Sequence, residues 1–466
     1  MKRKLKGLQI ALVICILGLL VISCESEPVE TELNNDVSQL PEAPFKNYMV
    51  ISESGEITKS FEDELKKGGT KIVYTIPQIG IAVVNSGDVD FVKNTLKKKG
   101  VVSVVPDYEI KWIPSNIGVE ANPPSIGDTE FYYFNDYLWG LDAIDAPEAW
   151  NAGFTGEGAS VFVLDSGIDA EHVEIAPNLN TALSKSFVPG ENWNIRPGQY
   201  FNHGTHVAGT IAAARNGVGL IGVAPDAELV AVKVLSEYSG SGAFSGINAG
   251  IIYAAEEGAD VINMSLGASL YKNGKLVDAD GNAYRVSPKD IQEIIHAQQR
   301  AIDYAYKSGT TVVASAGNDA HDADGDGSWI NLPGGLNKVI TVSATAPEGY
   351  DYLAEYTDYD VPASYTNYGR SLIDIAAPGG DGDVSLYDMI LSAGSGNTLY
   401  WSSGTSMAAP HVSGVAALVI GGNGGEMDPQ QVTQQIYHTA DDIVSNGKSV
   451  YYGHGRVNAY RAVTEK

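Results

Sequence analysis

Six short runs of this chain are predominantly apolar on both sides of a would-be strand: residues 160–164, 229–235, 260–266, 310–314, 338–343 and 372–375. A strand that is apolar on both faces must be covered on both, a demand that parallel sheets make and half-wet antiparallel sheets do not. Helical patterns at about 206–214, 243–257 and 288–307 separate several of these runs. The alternation predicts an α/β fold, a mostly parallel twisted sheet with helices on both faces. In such sheets reactive groups collect just beyond the carboxyl ends of the strands.

Four polar side chains stand where that rule points. Asp165 closes the first run, and His203 opens the helical stretch Asn202-His203-Gly204-Thr205-His206. Asn318 ends Ser315-Ala316-Gly317-Asn318, just after the run 310–314. Ser406 lies in Gly404-Thr405-Ser406-Met407-Ala408-Ala409-Pro410-His411, ahead of an apolar stretch, 415–420, that reads as a buried helix. Singly, each has an ordinary reading: a turn carboxylate, a helix-start imidazole, a turn amide, a capping hydroxyl. His203 and His206, three apart with no acidic partner on that face, make a weak metal pair. Together the four supply what acyl transfer needs: a nucleophile, an imidazole to take its proton, a carboxylate to hold the imidazole, and a donor for the oxyanion.

The chain from about Trp139 onward resembles the subtilisin family of serine proteases (subtilases). The matching segments are Val163-Leu164-Asp165-Ser166-Gly167-Ile168, His203-Gly204-Thr205-His206-Val207-Ala208-Gly209-Thr210, Asn263-Met264-Ser265-Leu266-Gly267, Ala316-Gly317-Asn318 and Gly404-Thr405-Ser406-Met407-Ala408-Ala409-Pro410-His411-Val412, in the family's order. The resemblance implies Ser406 as nucleophile, His203 as general base and then acid, Asp165 as its orienter, and an oxyanion hole from the Asn318 side chain and the Ser406 N–H. It also implies a polypeptide substrate laid as a strand between Ser239-Gly240-Ser241 and Ser265-Leu266-Gly267, with Ser315, Ala316 and Gly317 lining the P1 pocket. Two other readings share these residues: a surface-anchored pseudoprotease whose groove only holds peptides, and an esterase with the same acyl chemistry. The intact set of four opposes the first, and the two extended substrate segments oppose the second.

Ahead of this domain, residues 45–113 read as strand, helix, two strands, helix, strand, the order of a small ferredoxin-like α+β domain. By resemblance this is the family's propeptide, which assists folding and inhibits the enzyme as an internal partner until it is cut away. Residues 114–137 are a Pro-, Asn- and Gly-containing linker in which the cut is expected, and residues 138–466 form the catalytic domain.

Lys2, Arg3, Lys4 and Lys6 precede an apolar run, 8–22, that reads as an export signal rather than a permanent span. It ends Val21-Ile22-Ser23-Cys24, which resembles a bacterial lipobox with Cys24 as the lipidated residue. Residues 25–44 are an acidic, Pro-containing tether. The expectation is a monomer exported and lipid-anchored to a bacterial envelope membrane, or released outside the cell. Both cysteines, Cys15 and Cys24, fall in the signal segment, so the exported chain has no internal disulfide. A formal net charge of -27 argues against nucleic acid as a partner.

Three features depart from the family pattern. An extra stretch, 268–286, contains Asp278-Ala279-Asp280-Gly281-Asn282, and a second acidic loop carries Asp322, Asp324 and Asp326. Alternate carboxylates with glycine suit a hard cation such as Ca²⁺. The loop from Asn216 through Val218 to Leu220, with Glu174, resembles the family's calcium site. Finally Asn331, before Leu332-Pro333-Gly334, falls near the expected floor of the P1 pocket, which puts the usual preference for large apolar residues in doubt.

Overall fold

The structure is a computed structural model and describes residues 36–67, 70–115, 118–121, 137–350, 357–443 and 448–465. The signal, the lipidation expectation at Cys24 and linker residues 122–136 lie outside these residues. The chain first forms β1 (Phe45–Ser52), α1 (Lys59–Lys66), β2 (Lys71–Ile76), β3 (Ile81–Asn85), α2 (Phe91–Thr95), β4 (Val101–Lys111) and β5 (Gly118–Ala121). The larger part follows: α3 (Trp139–Ala143), α4 (Ala146–Asn151), β6 (Ser160–Asp165), β7 (Lys185–Ser186), α5 (His203–Ala212), β8 (Glu228–Lys233), β9 (Ser241–Ala243), α6 (Phe244–Glu256) and β10 (Val261–Met264). After these come β11 (Ala268–Tyr271), β12 (Lys275–Val277), β13 (Ala283–Arg285), α7 (Pro288–Lys307), β14 (Thr311–Ser315), β15 (Trp329–Leu332), β16 (Val339–Ala346), β17 (Val361–Pro362) and β18 (Ile375–Pro378). The chain closes with β19 (Ile390–Ala393), β20 (Leu399–Ser402), α8 (Thr405–Gly422), α9 (Pro429–His438) and α10 (Ala459–Thr464).

The main sheet has the order β17-β16-β14-β10-β6-β8-β7, with β18 beside β16. Its pairs are parallel except for β16 with β17. The expected α/β class is what the chain forms. Alternation within the strands feeds two cores: Val161 and Val163 pack with α5 and α8 on one face, whereas Phe162 and Leu164 pack with α6 and α7 on the other. From β6 the chain passes to β8 on one side and later to β10 on the other, so sequence order reverses beside β6. Such a switch point opens a crevice at the strands' carboxyl ends.

The small sheet is antiparallel in the order β2-β3-β1-β4. Thr58 caps α1 by accepting the Phe61 N–H at 3.2 Å, and Phe61 and Leu65, four apart, turn its apolar stripe inward. β4 runs well past the apolar stretch 101–105 because its far end pairs with β9, Ile110 opposite Gly242 and Lys111 opposite Ser241. On the other side β5 pairs with β20, Gly118 opposite Ser402. The extra stretch 268–286 supplies three strands of a separate antiparallel sheet, β13-β12-β11-β15. β18 starts where the expected strand 372–375 ends, because Leu372 and Ile373 are spent in a satellite cluster with Ala316 and Trp329.

Candidate active site

Asp165 ends β6 and is fully buried. His203 begins α5, which starts earlier than its apolar pattern because Asn202 caps it, accepting the Thr205 N–H at 2.8 Å. Gly204 lets helix and strand meet: a Cβ there would lie 2.2 Å from the Gly167 carbonyl oxygen and 3.2 Å from Asp165. His203 Nδ1 consequently sits 2.8 and 2.9 Å from the two Asp165 oxygens, and Asp165 Oδ1 also accepts the Ser166 N–H at 2.6 Å. A carboxylate facing Nδ1 keeps the proton there and leaves Nε2 as the basic nitrogen. That Nε2 is buried and hydrogen-bonds to no described residue. Lys233, itself fully buried, fixes the neighbouring backbone by donating to the Ser166 carbonyl at 2.8 Å, with Glu191 at 3.0 Å balancing its charge.

Ser406 lies in the first turn of α8, and Pro410 interrupts that helix's ladder, since proline has no N–H to give the carbonyl four residues back. The Ser406 carbonyl instead accepts the Ser265 hydroxyl at 2.8 Å, while Ser406 Oγ donates to the Ser265 carbonyl at 3.2 Å. Asn263 holds Ser265 from below through Nδ2 at 3.0 Å and is held in turn by Ser413 at 2.8 Å.

Asn318 follows β14, and its Oδ1 accepts both the Thr405 N–H at 2.9 Å and the Thr405 hydroxyl at 2.7 Å. Those two bonds orient the amide, leaving Nδ2 as its donor, and Asn318 lines the same cavity as Ser406. Gly267, Ser315 and Gly317 also line it, whereas Ala316 turns into the satellite cluster and does not. Leu266 is buried, its carbonyl accepting the Ser315 hydroxyl at 3.3 Å. The Ser239 hydroxyl accepts the Ser241 N–H at 3.3 Å. Between the two segments read as substrate strands lies the chain itself: the Gly240 carbonyl accepts the Trp112 N–H, and the Gly267 N–H donates to the Trp112 carbonyl, both at 3.0 Å.

The expected metal ligands do not converge. Among the described residues no group of three or more His, Cys, Asp or Glu side chains could hold an ion. Asp324 accepts the backbone N–H groups of Arg370 and Ser371, Asp326 accepts from Ser328, and Asp322 accepts the Asp324 N–H. Glu174 accepts the Leu220 N–H at 3.0 Å, and the Asn216 amide is spent on the Val173 carbonyl and the Val218 N–H. As folded, these acids and amides act as loop-capping groups. His206 is no ligand either: burial pushes its imidazole down to about 3, and Nε2 is engaged by the Tyr400 carbonyl at 2.9 Å.

Several contributing residues escape a reading of pattern. Thr405, Lys233 and Trp112 act through partners far along the chain. Asp319 and Asp278 also line the cavity beside Ser406; Asp278 stands in a loop whose acidity suggested a cation, not a pocket wall.

With this geometry in hand, residues 156–455 match the model of the subtilase family. The thermophilic serine proteinase of Bacillus sp. strain AK1 is 30% identical over 467 residues, spanning 98% of each chain. Thermitase of Thermoactinomyces vulgaris is 33% identical over 332 residues, 71% of this chain and 97% of that protein. In fold, the epidermin leader peptide processing serine protease of Staphylococcus aureus superposes with a TM-score of 0.70 at 23% identity, over 91% of this chain and 99% of that one.

Proposed function

Because this chain belongs to the subtilase family of serine endopeptidases, we propose that it cleaves polypeptides through an acyl-enzyme on Ser406. The observation that carries this reading is the His203 imidazole, fixed on Asp165 through Nδ1 with a buried, unpartnered Nε2. In this reading Ser406 Oγ exchanges its bond to the Ser265 carbonyl for one to that nitrogen. As Oγ attacks the scissile carbonyl its proton passes to Nε2, Asp165 stabilises the imidazolium, and Asn318 Nδ2 with the Ser406 N–H receives the oxyanion. Collapse breaks the C–N bond and the leaving amine takes the proton from Nε2; water then repeats the sequence and frees Ser406.

We further propose that the chain is exported and made as a zymogen, anchored through Cys24, with residues 45–113 as its internal inhibitor. Support comes from the two strand pairings: β4 and Trp112 fill the groove at β9, and β5 pairs with β20, which ends four residues before Ser406. The cut is then expected in the linker 114–137 that joins the two parts. Ser406→Ala is expected to abolish peptide hydrolysis and leave the precursor full length by mass spectrometry. Labelling of the parent by a fluorophosphonate should disappear with it. Undiminished hydrolysis or normal maturation in the variant would overturn the assignment.

A further inference from the structure

Resting on Ser406 as nucleophile, we propose that the cavity beside it is a P1 pocket built for a basic side chain, so that the substrates are polypeptides with lysine or arginine on the acyl side of the cut. Asn331 reaches this cavity from β15, only 2% exposed, and its Oδ1 is buried with no hydrogen-bond partner. The amide lies close to both pocket walls. A Cβ on Gly267 would sit 3.3 Å from Oδ1, and one on Gly317, whose φ is +96°, would sit 2.9 Å from Nδ2. Asp319 adds a carboxylate to the lining, held by the Ser269 hydroxyl at 3.1 Å and the Asn367 amide at 3.4 Å. Asp278 contributes further negative charge, although Asn282 and Tyr284 already donate to it. Among the described residues no Lys, Arg or His lines the cavity to balance these groups.

An apolar P1 side chain entering here would seal off Asn331 Oδ1 and leave it unpaired, a penalty that a site built around a buried acceptor imposes on any ligand lacking a donor. A lysine ammonium or arginine guanidinium supplies the missing N–H and neutralises the Asp319 carboxylate. Residues 113–137 of the chain contain no Lys or Arg. A tethered segment has an effective concentration in the millimolar range, which offsets weak P1 binding at the chain's own cut, so the preference is read on substrates in trans.

The test uses the matured enzyme, its active sites counted by fluorophosphonate titration, against peptides that differ only at P1: Lys, Arg, Gln, Leu and Phe. Lys and Arg should exceed Leu and Phe by about tenfold or more in kcat/KM. Asn331→Gly should erase most of that ratio by raising Leu and Phe, and Asp319→Ser should lower Lys and Arg selectively. Asn331→Ala carries the same test if the glycine variant does not fold. Preference for Leu or Phe, equal turnover of all five, or a basic preference unmoved by either substitution would overturn the proposal. Failure of titration itself would instead count against Ser406.

Discussion

At Ser265 one hydroxyl completes a helix that Pro410 leaves open, and it does so at the Ser406 carbonyl. Ser265→Ala strands that carbonyl in the core, which should cost about 1–3 kcal/mol of stability. Urea unfolding of the variant measures it, with Ser265→Thr as the hydroxyl-keeping control; an alanine variant as stable as the parent would refute the account. The four polar groups at strand and helix ends were legible because strand-end position is a local property of sequence. The duty of the Ser265 hydroxyl was not, since its partner lies 141 residues away. At Asp322, Asp324 and Asp326 the spacing was legible, but the backbone N–H groups of Arg370 and Ser371 that Asp324 accepts lie far along the chain.

Among the elements, β4 departs furthest from its pattern. Pro106, Asp107 and Glu109 break the apolar run, so a reading of periodicity stops at residue 105. What carries the strand on is tertiary: Asp107 accepts the Ser245 N–H at 3.0 Å at the start of α6, and Tyr108 donates to Asp290 at 3.1 Å in the first turn of α7. The parallel strands needed no such help, because their apolar runs are buried on both faces wherever they pair. Trp112, just beyond β4, packs edge-on against Phe244 with centroids 4.7 Å apart and donates to the Gly242 carbonyl at 3.0 Å. Trp112→Ala, made in the uncut Ser406→Ala protein, should lower unfolding free energy by about 3–5 kcal/mol. A urea midpoint indistinguishable from that of the parent would show that the strand is not anchored there.

For the whole molecule, acidity acts through buried groups of opposite sign. Burial pushes Asp107 up from the ordinary 3.8 to about 6, against the pull of its bonds from Ser245. The folded chain therefore holds this proton more tightly than the unfolded one, and the contribution, full below about 3.8, is lost as pH rises through about 6. Burial pushes His206 down to about 3 and His411 down to about 4, so their contributions run the other way and are lost as pH falls below about 6.5. In the uncut protein, Asp107→Asn should stabilise at pH 7.5 and make little difference near pH 4; denaturant midpoints at the two pH values test this, and equal shifts at both would contradict it. The small sheet also shares its core with the large one, Met49, Ile76, Ile110 and Trp112 packing in one cluster with Phe244, Ile247 and Ile251 of α6. A molecule relieved of that sheet turns to water a face that was assembled dry. Its fate in solution is then a colloidal question. The acidity of the chain, -27 in full, keeps such molecules apart, and salt that shortens electrostatic reach to about 10 Å at 0.1 M lets them adhere.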